Sequence, residues 1–242
     1  MDLNENKCVV MQFTRSSQMN CFNYHIGLQG LQSVKEVRDL GVFFTYNLHP
    51  GAHISRICSK AYSVLGFIFR ATRGPFSLTT IKSLYMTLVR SILEFNSTVW
   101  SPYQLGLVNE LEKVQNRFLR LIGVKMGFRY TEVDINEICQ LLNLPPLLLR
   151  RELMDAVFLF KLVNGSLDCP ELLGKIDFNV PRHSRHQQLF KRDHYSTSYI
   201  QHSPVPRLMR TGNSICGDVN FFGRSVSSFK SETSAVLRRM HM

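Results

Sequence analysis

The chain has 242 residues, of which 44% are hydrophobic, and its net charge is +11. This length and apolar content allow a sizeable core in one or two domains and exclude a wholly disordered protein. The strongly basic balance favours a polyanionic partner.

Cysteine usage and hydropathy point to an intracellular protein. Six cysteines are scattered without a Cys-x-x-Cys pair, and no signal peptide precedes them. We therefore expect reduced thiols and a location in the nucleus or the cytoplasm. The sequence has no run of 18 apolar residues, so we expect no membrane span.

The first 48 residues predict a small antiparallel β element. Four short runs are rich in β-formers and lie at residues 8–14, 22–26, 34–37 and 40–44. Gly27 and Gly30 supply turn residues after the second run.

Residues 49–125 predict a bundle of three helices with short connections. The first helix covers 52–71 and ends before Gly74-Pro75, and the third covers 105–122. Between them, 77–103 predicts one long amphipathic helix with Ser77 as its N-cap. Pro102 stops this helix, because the residue before a proline is pushed out of the α region.

The long second helix is expected to bury one stripe and expose Lys82, Arg90 and Glu94. The stripe repeats at steps typical of an α-helix and consists of Ile81, Leu84, Tyr85, Leu88, Ile92, Phe95 and Val99.

Residues 126–180 predict a second, acidic helical unit, and 181–242 form a basic tail. Helices are expected at 135–143, 147–163, 170–176, 205–215 and 222–239. The predicted fold class is therefore mainly α: a small N-terminal antiparallel β element (1–48), a three-helix bundle (49–125) and a second helical C-terminal region.

Metal and cofactor sites find little support in the sequence. Two-metal phosphoryl transfer needs clustered carboxylates, and the chain has no Asp-Asp pair. His183 and His186 could form half a zinc site, but no second pair of ligands stands near them, and a solvated basic loop is the alternative. A glycine-rich phosphate loop and a Gly-x-Ser-x-Gly elbow are both missing. We expect no metal and no cofactor in this chain.

Basic side chains share faces of the first and third helices. Arg56 and Lys60 are four residues apart on the first, and Lys113, Arg117 and Arg120 lie at i, i+4 and i+7 on the third. Such arrays bind phosphate backbones by releasing counterions. For any single residue, an ordinary solvated surface is the alternative. The bundle has 10 Lys and Arg against 3 Asp and Glu, which favours nucleic-acid binding for the set.

Four groups of short segments, in this order, resemble one family. They are Asn-Glu-Asn-Lys-Cys at 4–8 with Phe13 and Arg15; Val34-Lys35 through Asp39-Leu40-Gly41-Val42; Leu84-Tyr85, 88–95 and 99–103; and 160–162 with Asn164-Gly165 and Cys169-Pro170-Glu171-Leu172. Together they resemble reverse transcriptases of non-long-terminal-repeat retrotransposons, jockey-type in particular, from the end of the palm through the thumb to the C-terminal tail.

The resemblance implies a C-terminal part of an RNA-directed DNA polymerase that holds an RNA/DNA primer–template duplex. The fingers, and the palm carboxylates that would bind Mg²⁺ in the complete polymerase, would lie upstream of Met1, so this chain would be inactive alone. Lys7 would be an accessory proton donor to pyrophosphate in the complete polymerase. Leu40, Gly41 and Val42 would form the primer grip.

The residues leave two alternatives open. One is a non-catalytic helical module whose basic faces bind nucleic acid or acidic protein partners. The other is the product of a decayed open reading frame.

Overall fold

The computed structural model describes residues 4, 7–16, 22–179 and 188–241. The chain is mainly helical with a small β element near its N-terminus, which confirms the predicted fold class. In the described ranges, no helix is both long enough and apolar enough to cross a bilayer. The predicted half zinc site, His183 with His186, lies outside the described residues.

The β element is built from narrow two-stranded pairs. An antiparallel hairpin joins β5 (Glu36–Asp39) to β6 (Val42–Thr45). The other strands have two residues each and are β1 (Val9–Val10), β2 (His25–Ile26), β3 (Gln29–Gly30) and β4 (Gln32–Ser33). The β2–β3 pair is antiparallel and the β1–β4 pair is parallel. The predicted strands were therefore too long, since a β-rich run forms a ladder only where a partner strand lies beside it.

The described residues form the following helices: α1 (Gly51–Ala71), α2 (Leu78–Leu84), α3 (Ser91–Glu94), α4 (Ser97–Trp100), α5 (Leu105–Lys125), α6 (Ile135–Leu141), α7 (Leu147–Val163), α8 (Pro170–Leu173), α9 (Ser198–Gln201), α10 (Pro204–Ile215) and α11 (Val226–Met240). A π-helical segment (Tyr85–Arg90) joins α2 to α3. The bounds of α1, α5, α7 and α10 agree with the predicted ones to within a turn.

Three helix ends differ from the prediction, two of them for local backbone reasons. The helix α6 ends before Asn143, which has a φ of 47°. The helix α11 begins after Gly223, whose φ is 70°, and Ser225 caps it by accepting a hydrogen bond from the Ser228 N–H. A residue with positive φ leaves the right-handed helical region, so each of these positions interrupts the ladder. The helix α8 ends at Leu173, short of the predicted 176.

The predicted long helix at 77–103 is wrong as a single α-helix. Ser77 does cap its start by accepting a hydrogen bond from the Thr80 N–H. The π segment then follows, and Asn96, with a φ of 52°, separates α3 from α4. A π turn closes i→i+5 hydrogen bonds and takes more residues than an α turn. Residues at steps of four therefore stay on one face.

The predicted buried stripe of this segment is correspondingly wrong in part. The side chains that are fully buried follow steps of four: Ile81, Tyr85, Val89 and Leu93. Leu88, Phe95 and Val99 are instead exposed by 43%, 54% and 46%. The 3.6-residue period assigned these three to the core because it assumed unbroken α geometry.

Glu94 was predicted to be solvated and is buried. Its carboxylate accepts two hydrogen bonds from the Arg150 guanidinium of α7, one of them over 2.8 Å. Arg90 lies 3.8 Å away on the same side. A buried carboxylate is stable only when it is paired and hydrogen-bonded, and Arg150 provides both.

Two hydrophobic clusters fill the interior. The first is built from β6, the helices α1 to α6 and the start of α7, and the second from α7, α10, α11 and the segments around them. Leu147 belongs to the first cluster and Leu149 to the second, so the clusters meet within α7. The domain limits at 48, 125 and 180 stay a prediction.

A buried ion pair joins the two clusters. Arg207 of α10 donates to Asp155 of α7 over 2.8 Å, and its guanidinium also donates to the carbonyls of Thr98 and Ser101. Burial raises the pKa of Asp155, and the neighbouring Arg207 opposes that rise. The pair therefore fixes α10 against both α7 and the α4 turn.

Candidate nucleic-acid interface

The helices α1 and α5 lie side by side and run in the same direction. Near their starts, Ser55 donates to the Glu110 carboxylate over 3.1 Å. Near their ends, the Lys125 ammonium donates to the carbonyls of Thr72 and Gly74, the latter over 3.1 Å. The intervening chain, α2 to α4, crosses back beneath them and packs on both. The two helices are therefore joined near both ends of the seam between them, and the intervening chain does not separate them.

Three predicted cations lie together on the outer side of α5. We call Lys113, Arg117 and Arg120 the α5 cluster, and all three are exposed. The Arg117 guanidinium lies 5.8 Å from the ring centre of Tyr62 on α1, across the seam. The Arg120 guanidinium lies 5.6 Å from the ring centre of Tyr130. Two of the three cations of the α5 cluster therefore have an aromatic ring nearby.

The charges of the α5 cluster are available to a ligand. Within the described chain, none of the three pairs with a carboxylate. Burial raises the pKa of Tyr62, while Arg117 lowers it, and the ring stays a neutral phenol at neutral pH. A neutral ring can support a guanidinium without competing for its N–H donors.

The other two predicted cations, Arg56 and Lys60, lie on the side of α1 that does not face α5. Arg56 donates to the Glu36 carboxylate of β5 and stacks on Phe43 of β6, 4.1 Å from the ring centre. Lys60 is four residues further on and shares that side, whereas Ser55 and Tyr62 face α5. Arg56 thus has a structural role, since it links the β5–β6 hairpin to α1, in addition to any contact with nucleic acid. The structure does not merge the five cations into one cluster.

The predicted primer-grip residues form the turn of the β5–β6 hairpin. Leu40 has a φ of 43° and Gly41 a φ of 89°, as in the two-residue turns that match strand twist. Leu40 is 84% exposed, and Val42 is buried in the first cluster. A Cβ on Gly41 would come within 3.0 Å of the Phe95 ring, so both the φ and the close approach favour glycine. The turn presents Leu40 to solvent beside the break at Asn96.

The remaining predicted site residue, Lys7, is exposed near the N-terminus and distant in sequence from the α5 cluster. Among the described residues, no group of three or more His, Cys, Asp or Glu side chains could hold a metal ion. Burial raises the pKa of Cys58, beside the seam, to about 12. Its sulfur is therefore a thiol at neutral pH, which argues against nucleophilic chemistry there.

Sequence reasoning missed the aromatic half of this surface. Tyr62 lies within the predicted first helix and was not singled out, and Tyr130 lies in the loop after α5. The tripeptide Phe128-Arg129-Tyr130, directly after a basic helix, was a usable signal because alternating basic and aromatic residues are typical of nucleic-acid binding. The contact of Tyr62 with Arg117 had no such signal, since 55 residues separate them in sequence.

No family model, curated protein or solved structure matches this chain. Its function has therefore to be argued from its residues and their geometry.

Proposed function

We propose that this chain is a thumb-like and C-terminal part of an RNA-directed DNA polymerase of the non-long-terminal-repeat retrotransposon type. In this role it holds the primer–template duplex and performs no chemistry alone. The resemblance of its segments to that family supports the proposal. So does a second, independent observation: the unpaired charges of the α5 cluster.

The α5 cluster suits a phosphate backbone. Its three cations lie at i, i+4 and i+7 on one uninterrupted α-helix, and no carboxylate of the described chain neutralises them. The guanidinium groups of Arg117 and Arg120 each lie near an aromatic ring, 5.8 Å and 5.6 Å from the ring centres. An array of cations of this kind binds successive phosphates with little sequence preference.

The hairpin turn suits the end of a primer. Leu40 is apolar and exposed. The turn that carries it lies close to the Phe95 ring, because Gly41 has no side chain to separate them. An exposed apolar residue on a two-residue turn can contact sugar and base faces without needing a charge. The proposal assigns the turn to the primer strand and the α5 cluster to the duplex behind it.

Equilibrium binding to an RNA/DNA hybrid with a recessed 3′ end tests the proposal. We expect binding that weakens with salt, with a logarithmic slope near −3 if all three cations of the α5 cluster contact phosphates. Changing Lys113, Arg117 or Arg120 singly to Gln should reduce the slope by about one each. Lys230→Gln is the matched control, since Lys230 is exposed on α11.

Two results would contradict the assignment. One is a failure to bind hybrid duplex at low salt. The other is an equal effect of Lys230→Gln and Arg117→Gln, which would mean that the net charge alone drives binding. A substitution at the turn, Leu40→Asp, should reduce the preference for a recessed 3′ end over a continuous duplex, because it places a negative charge near the primer phosphates.

The polymerase assignment has a separate test. The purified chain should not extend a primed RNA template, because two-metal catalysis needs clustered carboxylates and the sequence has no Asp-Asp pair. Extension by the chain alone would overturn the non-catalytic role. Sequencing the genomic region upstream of Met1 should find an in-frame palm. Stop codons or frameshifts there would instead favour a decayed reading frame.

A non-catalytic helical binding module is the second candidate. Two clusters filled by the chain's own apolar residues favour it, since such cores can be stable without further polymerase domains. Such a module would bind recessed and continuous duplexes equally well. The recessed-end preference therefore separates the two candidates.

A further inference from the structure

A cavity of about 510 Å³ lies between the hairpin, the α4–α5 connection and the segment that leads into α10. It is separate from the α5 cluster, whose residues do not line it, and nothing in the proposed function uses it. Its volume falls in the range of small-molecule sites. Three stretches distant in sequence form its walls, at 42–50, 99–104 and 199–204, with 13–15 along one edge.

Flat groups dominate the walls of this cavity. The Tyr103 ring is stacked on the His202 imidazole, with 4.3 Å between centroids and 10° between planes. The Arg15 guanidinium lies over the Tyr199 ring, 4.0 Å from its centre. Phe43 and Trp100 add two more aromatic walls. Tyr103 and Tyr199 each have a second ring face, and such a face suits a planar aromatic ligand because rings stack with an energy beyond their area of contact.

The cavity also carries a net positive charge, which Arg15 supplies. Among the described residues that line it there is no Asp or Glu, whereas Arg15, Arg207, His49 and His202 all contribute to its lining. Burial, and after it the nearby Arg210 and Arg207, lower the pKa of His202, so its imidazole is neutral at neutral pH and adds no charge. Arg207 is neutralised by Asp155, so the unpaired charge is that of Arg15.

Arg15 is placed to bind an anion. Its guanidinium carbon lies 4.0 Å from the centre of the Tyr199 ring, and no carboxylate of the described chain pairs with it. A guanidinium without a carboxylate partner can offer its N–H donors to a phosphate, which they match in fork geometry. Gln104 also lines the cavity, and its side-chain oxygen is buried without a hydrogen-bond partner in the described chain. An amino group on a base could supply the missing donor.

From these observations we propose that the cavity is a nucleotide-binding site. The base stacks on Tyr103 and Tyr199, near Trp100, and its phosphate binds Arg15. The required chemistry is a planar base that carries a phosphate. A free mononucleotide and an unpaired nucleotide of a single strand both supply it.

The single tryptophan of the chain provides the measurement. Trp100 lines the cavity and is 6% exposed, with its indole N–H donating to the Phe95 carbonyl over 2.8 Å. The fluorescence of the full chain is titrated with adenosine 5′-monophosphate, with adenosine and with inorganic phosphate. The monophosphate should give saturable quenching and bind about tenfold more tightly than adenosine, because only the monophosphate engages Arg15.

Two variants divide the site into its charge and its stacking surface. Arg15→Gln should bring the affinity for the monophosphate down to that for adenosine, a loss of about tenfold. Tyr199→Leu should weaken both ligands, because it removes a stacking face. Arg239→Gln is the matched control, since Arg239 is an exposed arginine on α11 and does not line the cavity. Circular dichroism of each variant shows whether it is folded. If Tyr199→Leu does not fold, Arg15→Gln still decides the test, because Arg15 is exposed and its substitution should leave the fold intact.

A short single-stranded deoxyadenylate oligomer distinguishes the two sources of the nucleotide. One outcome is that the oligomer quenches the fluorescence with a higher affinity than the monophosphate does, and loses that affinity in Arg15→Gln. This result supports the site and assigns it to a nucleotide of a single strand. Quenching by the monophosphate that the oligomer does not displace supports the site and assigns it to a free nucleotide. Two results overturn the proposal: no saturable quenching by either ligand up to about 1 mM, or equal binding of adenosine and its monophosphate that Arg15→Gln leaves unchanged. Substitutions in the α5 cluster should not alter the quenching, so this site and the duplex interface fail independently.

Discussion

The helix α5 and the segment from Leu78 to Trp100 pack on the same core but present opposite outer faces. The outer face of α5 is charged and carries the α5 cluster. The outer face of the segment is uncharged and mixes exposed Ser, Thr and Asn side chains with Leu88, Phe95 and Val99. Both stretches have strong apolar periodicity in sequence, yet this periodicity identified the buried face correctly only in α5.

Backbone geometry explains the difference. The helix α5 is an unbroken α-helix, so the residues at 3.6-residue spacing, such as Leu111, Phe118 and Ile122, are those that reach the core. The segment passes through a π turn and a left-handed residue, Asn96, so its buried positions follow another spacing. Apolar periodicity therefore identifies a buried face only where the chain holds one helical geometry throughout.

The largest effect expected from this comparison is at Tyr85. It is fully buried in the π segment, stacks on Phe118 of α5 with 4.0 Å between centroids, and donates to Gln115 over 3.0 Å. Tyr85→Ala should lower the free energy of unfolding by about 3–5 kcal/mol, measured by urea denaturation. Leu88→Ala, the matched control, should change it by less than about 0.5 kcal/mol. A larger loss from Leu88→Ala would restore the α-helical reading of the segment.

Glu94 should have the next largest effect. Glu94→Gln leaves the Arg150 guanidinium without its charged partner in a largely buried position, and we expect a loss of about 2–3 kcal/mol. In the exposed pair of Arg129 with Glu132, Glu132→Gln should cost less than about 0.5 kcal/mol. The two changes are compared by urea denaturation at the same pH. Equal effects would mean that Glu94 is solvated, as the sequence pattern had indicated.

Replacing Asn96 should change the free energy of unfolding in a direction that depends on the backbone conformation of this residue. In its left-handed conformation, Asn96→Ala should destabilise the chain by about 1 kcal/mol, because a Cβ without a polar side chain is disfavoured there. In a continuous helix the same change would stabilise it by about 0.5 kcal/mol. Asn96→Gly is the control and should be close to neutral. Thermal and urea unfolding of the three proteins determine the sign.

The smallest effect on stability is expected on the outer face of α5. Arg117→Gln should change the free energy of unfolding by less than about 0.5 kcal/mol, because the side chain is exposed and its contact with Tyr62 is long. The same variant should reduce the salt slope of duplex binding by about one. A large loss of stability with unchanged binding would make Arg117 a structural residue and remove it from the interface.

The sequence alone determined the elements that depend on local interactions. The helix α7 begins at Leu147 and ends at Val163 as predicted, because Pro146 precedes it and Asn164-Gly165 terminates it. The exposed cations of α5 likewise follow from a short-range pattern. These features need only neighbouring residues to be specified.

Tertiary structure decided what depends on contacts between distant residues. Glu94 is buried because Arg150, 56 residues later, pairs with it. Tyr62 meets Arg117 because α1 and α5 run side by side, and the aromatic cavity exists only because 42–50, 99–104 and 199–204 converge. The π turn also depends on distant contacts, because Tyr85 within it stacks on Phe118 and donates a hydrogen bond to Gln115, both on α5. Periodicity is a property of one segment, whereas burial and charge pairing are properties of the packed chain.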